Sequence, residues 1–152
     1  MIAVLQRVSH ASVRVDGQIV GKCEKGLAIL LGVSGEDTEK DAEVLSAKIA
    51  KLRIFNDEND KMNLSLLDIG GEALVVSNFS LLANYKHGNR PDYLAAAAPA
   101  VAEKLYEDFC KLLSAQLGKH VDTGVFGAEM KVDIFGDGPI TIVMDSKVLI
   151  KK

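Results

Sequence analysis

Residues 2–15 place Val4, Val8, Val13 and Val15 among polar neighbours, and Asp16-Gly17 follows as a strong hairpin signal. The pattern predicts a strand, a tight turn and a return strand over residues 18–23. Residues 26–33, GLAILLGV, are continuously apolar, as in a central strand covered on both faces. Over residues 38–52 the spacing of Ala42, Leu45, Ile49 and Leu52 changes to three and four, which predicts a helix that Thr38 and Asp41 start with a capping box. Residues 53–55 and 61–67 flank the polar NDEND and predict a second hairpin. A buried strand is expected over 72–79, and a polar loop over 83–92. Pro91 and Pro99 bracket the alanine-rich entry to a helix with Val101, Leu105, Phe109 and Leu112 on one stripe, a Glu107–Lys111 pair on the other side and an end at Gly118. Residues 120–126, 128–135 and 140–146 then read as three closing strands.

Strands in runs with two substantial helices between them point to an α/β fold of mostly antiparallel or mixed sheets with helices on one face, and disfavour a doubly wound nucleotide-binding fold. The length of 152 residues fits one domain spanning residues 1–152. No apolar run reaches the ~18–20 residues of a membrane span, and the start does not resemble a signal peptide, so a cytoplasmic protein is expected. The net charge of -3 argues against a broad nucleic-acid-binding face and confines any such contact to a local patch. Cys23 and Cys110 lie far apart without a CxxC or a neighbouring histidine, and read as buried thiols. The NDEND loop lacks the oxygen ligand and glycine that a calcium hand needs, because Lys61 stands in it. No metal or other cofactor is expected.

The residues that carry chemistry are less obvious. GDGP at 136–139 begins like a dinucleotide fingerprint, but Pro139 and Thr141 break it, and Gly32-Val33-Ser34 starts a nucleophile elbow that Glu36 fails to complete. His10, His87 and His120 share no ligand spacing. What remains is a site made of backbone and short polar groups: Ser77, Asn78, Phe79 and Ser80, at a strand end, can offer N–H donors to an oxyanion, or can simply begin a turn. Gly138-Pro139 leaves two readings open as well, a tight turn or a segment that presents its carbonyls to a ligand, which a cis bond would aim the same way.

SNFSL at 77–81 and DGPIT at 137–141 resemble the two signature motifs of D-aminoacyl-tRNA deacylases, usually SQFTL and NxGPVT. MIAVLQRVSHASVRVDG, GLAILLGV, KLRIFND, KMNLSLLD, GGEALVVS, LYEDF and TGVFGAEM are similar to that family in the same order, over essentially the whole chain. The resemblance implies a three-layer α/β/β fold of two sheets and helices, a homodimer, and hydrolysis of the ester joining a D-amino acid, or glycine mischarged on tRNA(Ala), to the terminal adenosine of tRNA, with L-aminoacyl-tRNA spared. It implies that Gly138 and Pro139 of one subunit, joined in cis, form a chiral gate in the pocket of the other. Ser80, Phe79, Ser77 and Asn78 then form the catalytic segment, Phe79 lining the adenosine pocket, and Arg7 and Thr141 support the gate.

Three positions depart from the family pattern. Asn78 replaces Gln, Ser80 replaces Thr and Gly136 replaces Asn, which puts rate and substrate range in doubt more than reaction type. Two other readings share the fold: a non-catalytic dimeric module that binds tRNA 3′ ends, and an esterase for free D-amino-acid esters. Lys86, Arg90, Lys147, Lys151 and Lys152 are candidates to touch tRNA phosphates.

Overall fold

Strand β1 (Ile2–Val15) is the axis of the architecture, because its two halves pair with different neighbours. In the computed structural model, which describes residues 1–150, the first half is antiparallel to β3 (Gly26–Gly32), from Ile2 opposite Gly32 to Val8 opposite Gly26. The second half is antiparallel to β2 (Gln18–Cys23), and the turn between them has positive φ at both Asp16 and Gly17, 49° and 78°, as a two-residue hairpin of this hand requires. The opposite edge of β1 carries β8 (Lys131–Asp145) along nearly its whole length.

Beyond β3 the sheet becomes parallel. β6 (Glu72–Ser77) lies parallel to β3, and the short β7 (Asp122–Thr123) parallel to β6. Parallel neighbours need crossovers. The first consists of helix α1 (Glu39–Lys51) and the separate hairpin of β4 (Arg53–Asn56) and β5 (Met62–Ser65); the second contains helix α2 (Pro99–Leu117). Helix α3 (Ser146–Ile150) follows β8. β2 turns back toward the far edge: the Lys22 amide donates to Asp122 at 2.9 Å and the Glu24 amide to Glu72 at 2.8 Å, which nearly closes the sheet into a barrel. Gly21 permits this approach, since a Cβ there would lie 2.2 Å from the Thr123 carbonyl oxygen.

The period of two divides each central strand between two cores. Leu27, Ile29 and Leu31 of β3, with Ala73 and Val75 of β6, face α1 and α2, while Ala28, Leu74 and Val76 face Val8, Ala11, Val13 and Cys23 inside the curl of the sheet. That is why GLAILLGV is apolar at every position. Burial in the second core pushes the Cys23 thiol up to about 12, and burial on the inner side of α2 does the same to Cys110.

Three expectations are corrected. The closing segment is a single 15-residue strand rather than two, and residues 120–126 supply only the two-residue β7. Residues 136–139 therefore make no chain reversal. On α2 the buried stripe is Leu105, Tyr106, Phe109, Leu113 and Leu117; Val101 is half exposed because the first turn borders the cavity described below. The ion pair along that helix joins Lys104 to Asp108 at 2.6 Å, and not Glu107 to Lys111.

The capping box at Thr38 and Asp41 is present, and Asp41 has a second role. Its carboxylate accepts from Ser146 Oγ at 2.6 Å and Lys147 Nζ at 2.8 Å, tying α1 to α3. Burial alone would raise its pKa, but the hydrogen bonds from Lys147, Ser146 and the Thr38 amide outweigh it and hold the group at about 2. A depressed carboxylate stabilises the fold above its unfolded pKa, near 4, and that contribution disappears as pH falls toward 2. We expect Asp41→Asn to lower stability by about 2 kcal/mol at pH 7 and to flatten the loss between pH 4 and 2. Urea unfolding of both proteins across that range checks the sign.

Candidate active site

The C-terminal ends of the three parallel strands come together on one side of the sheet. Val33 follows β3, Ser77 and Asn78 end β6, and Phe126, Gly127, Ala128 and Met130 follow β7. They enclose a cavity of about 690 Å³, and the connection into α2 supplies its remaining wall through Tyr93, Leu94, residues 96–99 and Ala102. Such a crevice outside the carboxyl ends of parallel strands is where sheet proteins commonly take ligands.

The Asn78 amide donates to the Leu31 carbonyl at 2.8 Å, extending the pairing of β6 with β3 by one residue. The chain then turns into a short 3-10 segment, Phe79–Leu82. The first amides of such a turn have no partner within it. Those of Phe79 and Ser80 have no backbone acceptor among the turn, loop and cap hydrogen bonds of the described residues. Phe79 projects from this turn, 60% exposed, with its ring edge-on to Tyr93 at 4.8 Å and 72°.

Among the described residues, the cavity has no carboxylate, histidine, lysine, arginine or cysteine in its wall. Its polar side chains are those of Ser77, Asn78 and Tyr93, set against Phe79, Phe126, Met130 and a run of alanines. The Ser80 hydroxyl lies beside the cavity rather than in its wall and donates to Asn78 Oδ1. An apolar chamber with unpartnered amides at one side can hold a planar aromatic group and stabilise a negative oxygen; it offers no side chain for general-base work.

Gly138, Pro139, Arg7 and Thr141 lie elsewhere. None of them lines the cavity of the same chain. Gln6 is opposite Thr141 and Val8 opposite Gly136, so Arg7 alone faces residues 137–140, and β8 bulges outward there. The Gly138-Pro139 bond at its crest is cis, and residues 135–139 are exposed. Arg7 secures the bulge from beneath. Arg7 is buried, 8% exposed, and its guanidinium donates from Nε to the Asp137 carbonyl at 3.0 Å and from Nη1 to the Ile54 carbonyl at 3.0 Å and Asn56 Oδ1 at 3.2 Å. Thr141 is an exposed strand residue just past the bulge.

The structure therefore brings Ser77, Asn78 and Phe79 together and sets Gly138, Pro139, Arg7 and Thr141, the residues expected at the gate, apart from them. Tyr93, Phe126 and Met130 are wall residues that sequence reasoning did not single out, although Phe126 and Met130 lie in TGVFGAEM. Of the proposed phosphate contacts, Lys147 is paired with Asp37 at 3.2 Å and Asp41 at 2.8 Å, and Lys151 and Lys152 lie outside the described residues.

Fold and cavity together define a mixed α/β protein with a candidate ligand site built from main chain and apolar walls. The chain belongs to the D-Tyr-tRNA(Tyr) deacylase family, whose model matches residues 4–145. It is 52% identical over 147 residues to a D-aminoacyl-tRNA deacylase of Parabacteroides distasonis, covering 97% of this chain and 98% of the relative. It is 55% identical over 149 residues to one of Sulfurihydrogenibium sp., covering 98% and 100%. Among solved structures, a c-Myc DNA unwinding element binding protein superposes with a TM-score of 0.89 at 40% identity, covering 95% of this chain and 98% of that one. A probable eukaryotic D-amino acid tRNA deacylase superposes with 0.83 at 16% identity, covering 94% and 97%, and shares the fold.

Arg7→Met keeps an unbranched apolar stem but removes the guanidinium and leaves the Ile54 and Asp137 carbonyls without their donor. We expect a loss of about 2–3 kcal/mol, read from urea unfolding, because buried acceptors lose bonds from a charged group.

Proposed function

We propose that this protein is a cytoplasmic D-aminoacyl-tRNA deacylase, which hydrolyses the ester between a D-amino acid and the terminal adenosine of tRNA and also clears glycine from mischarged tRNA(Ala). The observation that carries the reading is the cavity at Ser77–Phe79, with free amides and, among the described residues, no carboxylate, histidine, lysine, arginine or cysteine in its wall. Family membership supplies the substrate class.

In this mechanism the adenine is held by apolar contact with Phe79, and the ester carbonyl points toward the Phe79 and Ser80 amides. Water attacks the carbonyl carbon, and the amides stabilise the oxyanion of the tetrahedral intermediate. Collapse of the intermediate breaks the bond to the ribose oxygen, which takes a proton and leaves as the hydroxyl of free tRNA. With no side-chain base in the wall, the neighbouring 2′-hydroxyl of the substrate assists the water. Ser80, bonded to Asn78, positions the turn.

Chirality is read by exclusion. The outward bulge of β8 suits a role in a second copy of the chain: in a homodimer Gly138 and Pro139 enter the partner's cavity, their carbonyls take the α-ammonium, and an L side chain finds no room. Such a device accepts many D side chains because it contacts none of them.

Release of amino acid from paired D- and L-aminoacyl-tRNA, with and without a chelator, tests the reading. Hydrolysis of the D ester alone, indifferent to chelation, is expected. Binding of tRNA without hydrolysis of either ester would instead identify a 3′-end-binding module. Ser80→Ala should keep at least about a third of the rate, since the amides and not the hydroxyl carry the charge; complete loss in a folded dimer would make the hydroxyl a nucleophile. At Gly138, φ is 129° and a Cβ would lie 2.8 Å from the Ile140 nitrogen and 3.3 Å from Arg7 Nη2. Gly138→Ala should therefore displace the bulge and lower the D-over-L rate ratio by about tenfold or more, against a modest change in unfolding midpoint.

A further inference from the structure

Residues 83–92 leave the rim of the cavity and return to it. Asn84 and Asp92 exchange both backbone hydrogen bonds, at 2.8 and 2.9 Å, and so close the loop at its base. The Asn84 side chain accepts from the Lys86 amide at 3.1 Å, and that of Asp92 from the Leu94 amide at 3.2 Å. On one side this base continues into the turn that bears Phe79, and on the other into Tyr93 and Leu94 of the cavity wall. Just beyond, the Ala97 amide donates to the Val33 carbonyl at 3.0 Å and the Gly35 amide to Ala95 at 2.9 Å, which fixes the returning chain to the end of β3.

The loop itself points into water. Tyr85 is 83% exposed and stacks on no other ring, although the chain's described aromatic pairs include Phe79 with Tyr93 close by. Lys86, His87 and Arg90 are exposed as well. Neither Lys86 nor Arg90 has a carboxylate partner among the described residues, whereas Arg7, Lys104 and Lys147 are all paired. Residues 83–91 contain no acidic residue, on a chain of net charge -3. An exposed aromatic ring flanked by two free cations is complementary to single-stranded nucleic acid, in which flat bases alternate with phosphates.

Given the deacylase reading, on which this rests, the terminal adenosine occupies the cavity and the unpaired nucleotides before it must pass over the rim. We infer that the loop at 83–92 is a clasp for those nucleotides, with Tyr85 stacking on a base and Lys86 and Arg90 pairing with phosphates. The clasp reads the polymer and not the amino acid, so its contribution belongs to tRNA and is absent for a substrate that ends at adenosine.

Hydrolysis of D-aminoacyl-tRNA and of 3′-O-D-aminoacyl-adenosine by the full-length protein separates the two. Tyr85→Ala should raise KM for tRNA by about tenfold, from the loss of one stacked base, and leave the rate on the adenosine ester unchanged. Lys86→Ala/Arg90→Ala should also weaken the salt dependence, lowering the slope of log KM against log salt by ~0.7 for each cation removed. Unchanged kinetics on tRNA, equal losses on both substrates, or a smaller sedimenting species that would make the loop a subunit contact, each overturns the inference. If the wild-type protein hydrolyses neither ester, the deacylase reading fails on its own. Fluorescence anisotropy with a short RNA hairpin ending in an unpaired CCA then tests the clasp, which stands if Tyr85→Ala weakens binding and falls if it does not.

Discussion

A guanidinium cannot be withdrawn from water without acceptors, and Arg7 obtains its acceptors from two segments distant from each other in the chain. It belongs to β1, reaches β4 through the Ile54 carbonyl and the Asn56 side chain, and reaches β8 through the Asp137 carbonyl. The small β4–β5 hairpin and the bulge of β8 are thereby referred to the same residue of the central strand. The bulge needs such an anchor, because ladder pairing with β1 lapses between Gly136 and Thr141. An outward segment fixed from below can meet a second molecule in one geometry, which a loop held only at its ends could not do.

Topology places the cavity as firmly as Arg7 places the bulge. Since β3, β6 and β7 run parallel, their C-terminal ends open on the same side, and the segments that follow each strand set out from that side. The turn at Phe79, the wall at Tyr93 and the segment at Phe126 therefore converge without being neighbours in sequence. The chamber they form is apolar, which raises the value of every dipole aimed into it: an amide facing a developing oxyanion competes with little water there. The proposed chemistry, without a carboxylate, histidine or lysine in the wall, is reasonable for an activated ester whose own ribose supplies a hydroxyl.

Under the proposed function the tasks separate along the same lines: the amides at the cavity would act on the ester, the bulge of β8 on chirality and the loop at 83–92 on the polymer, each on a different element. Their charges agree with this division. The fixed cations Arg7 and Lys147 are consumed by internal partners, while Lys86 and Arg90 remain available at the rim.

Local chemistry was legible wherever a few adjacent residues decide the outcome. Asp16-Gly17 determined the first hairpin because its φ angles suit few other pairs, the Thr38–Asp41 box determined where α1 begins, and Gly118 where α2 ends. The ordered motifs also marked Ser77–Phe79 and Gly138-Pro139 as special residues. Tertiary structure decided where those residues lie and what surrounds them. Residues 136–139 are composed as a turn, yet they remain within one strand, because β1 pairs on both sides of them and Arg7 holds the excess chain. Val101 has the right spacing for the core but lies over a cavity edge. Tyr93, Phe126 and Met130 show no periodicity that marks them as walls, since a cavity is the joint product of strand direction and crossover path, and neither is encoded in a window of neighbouring residues.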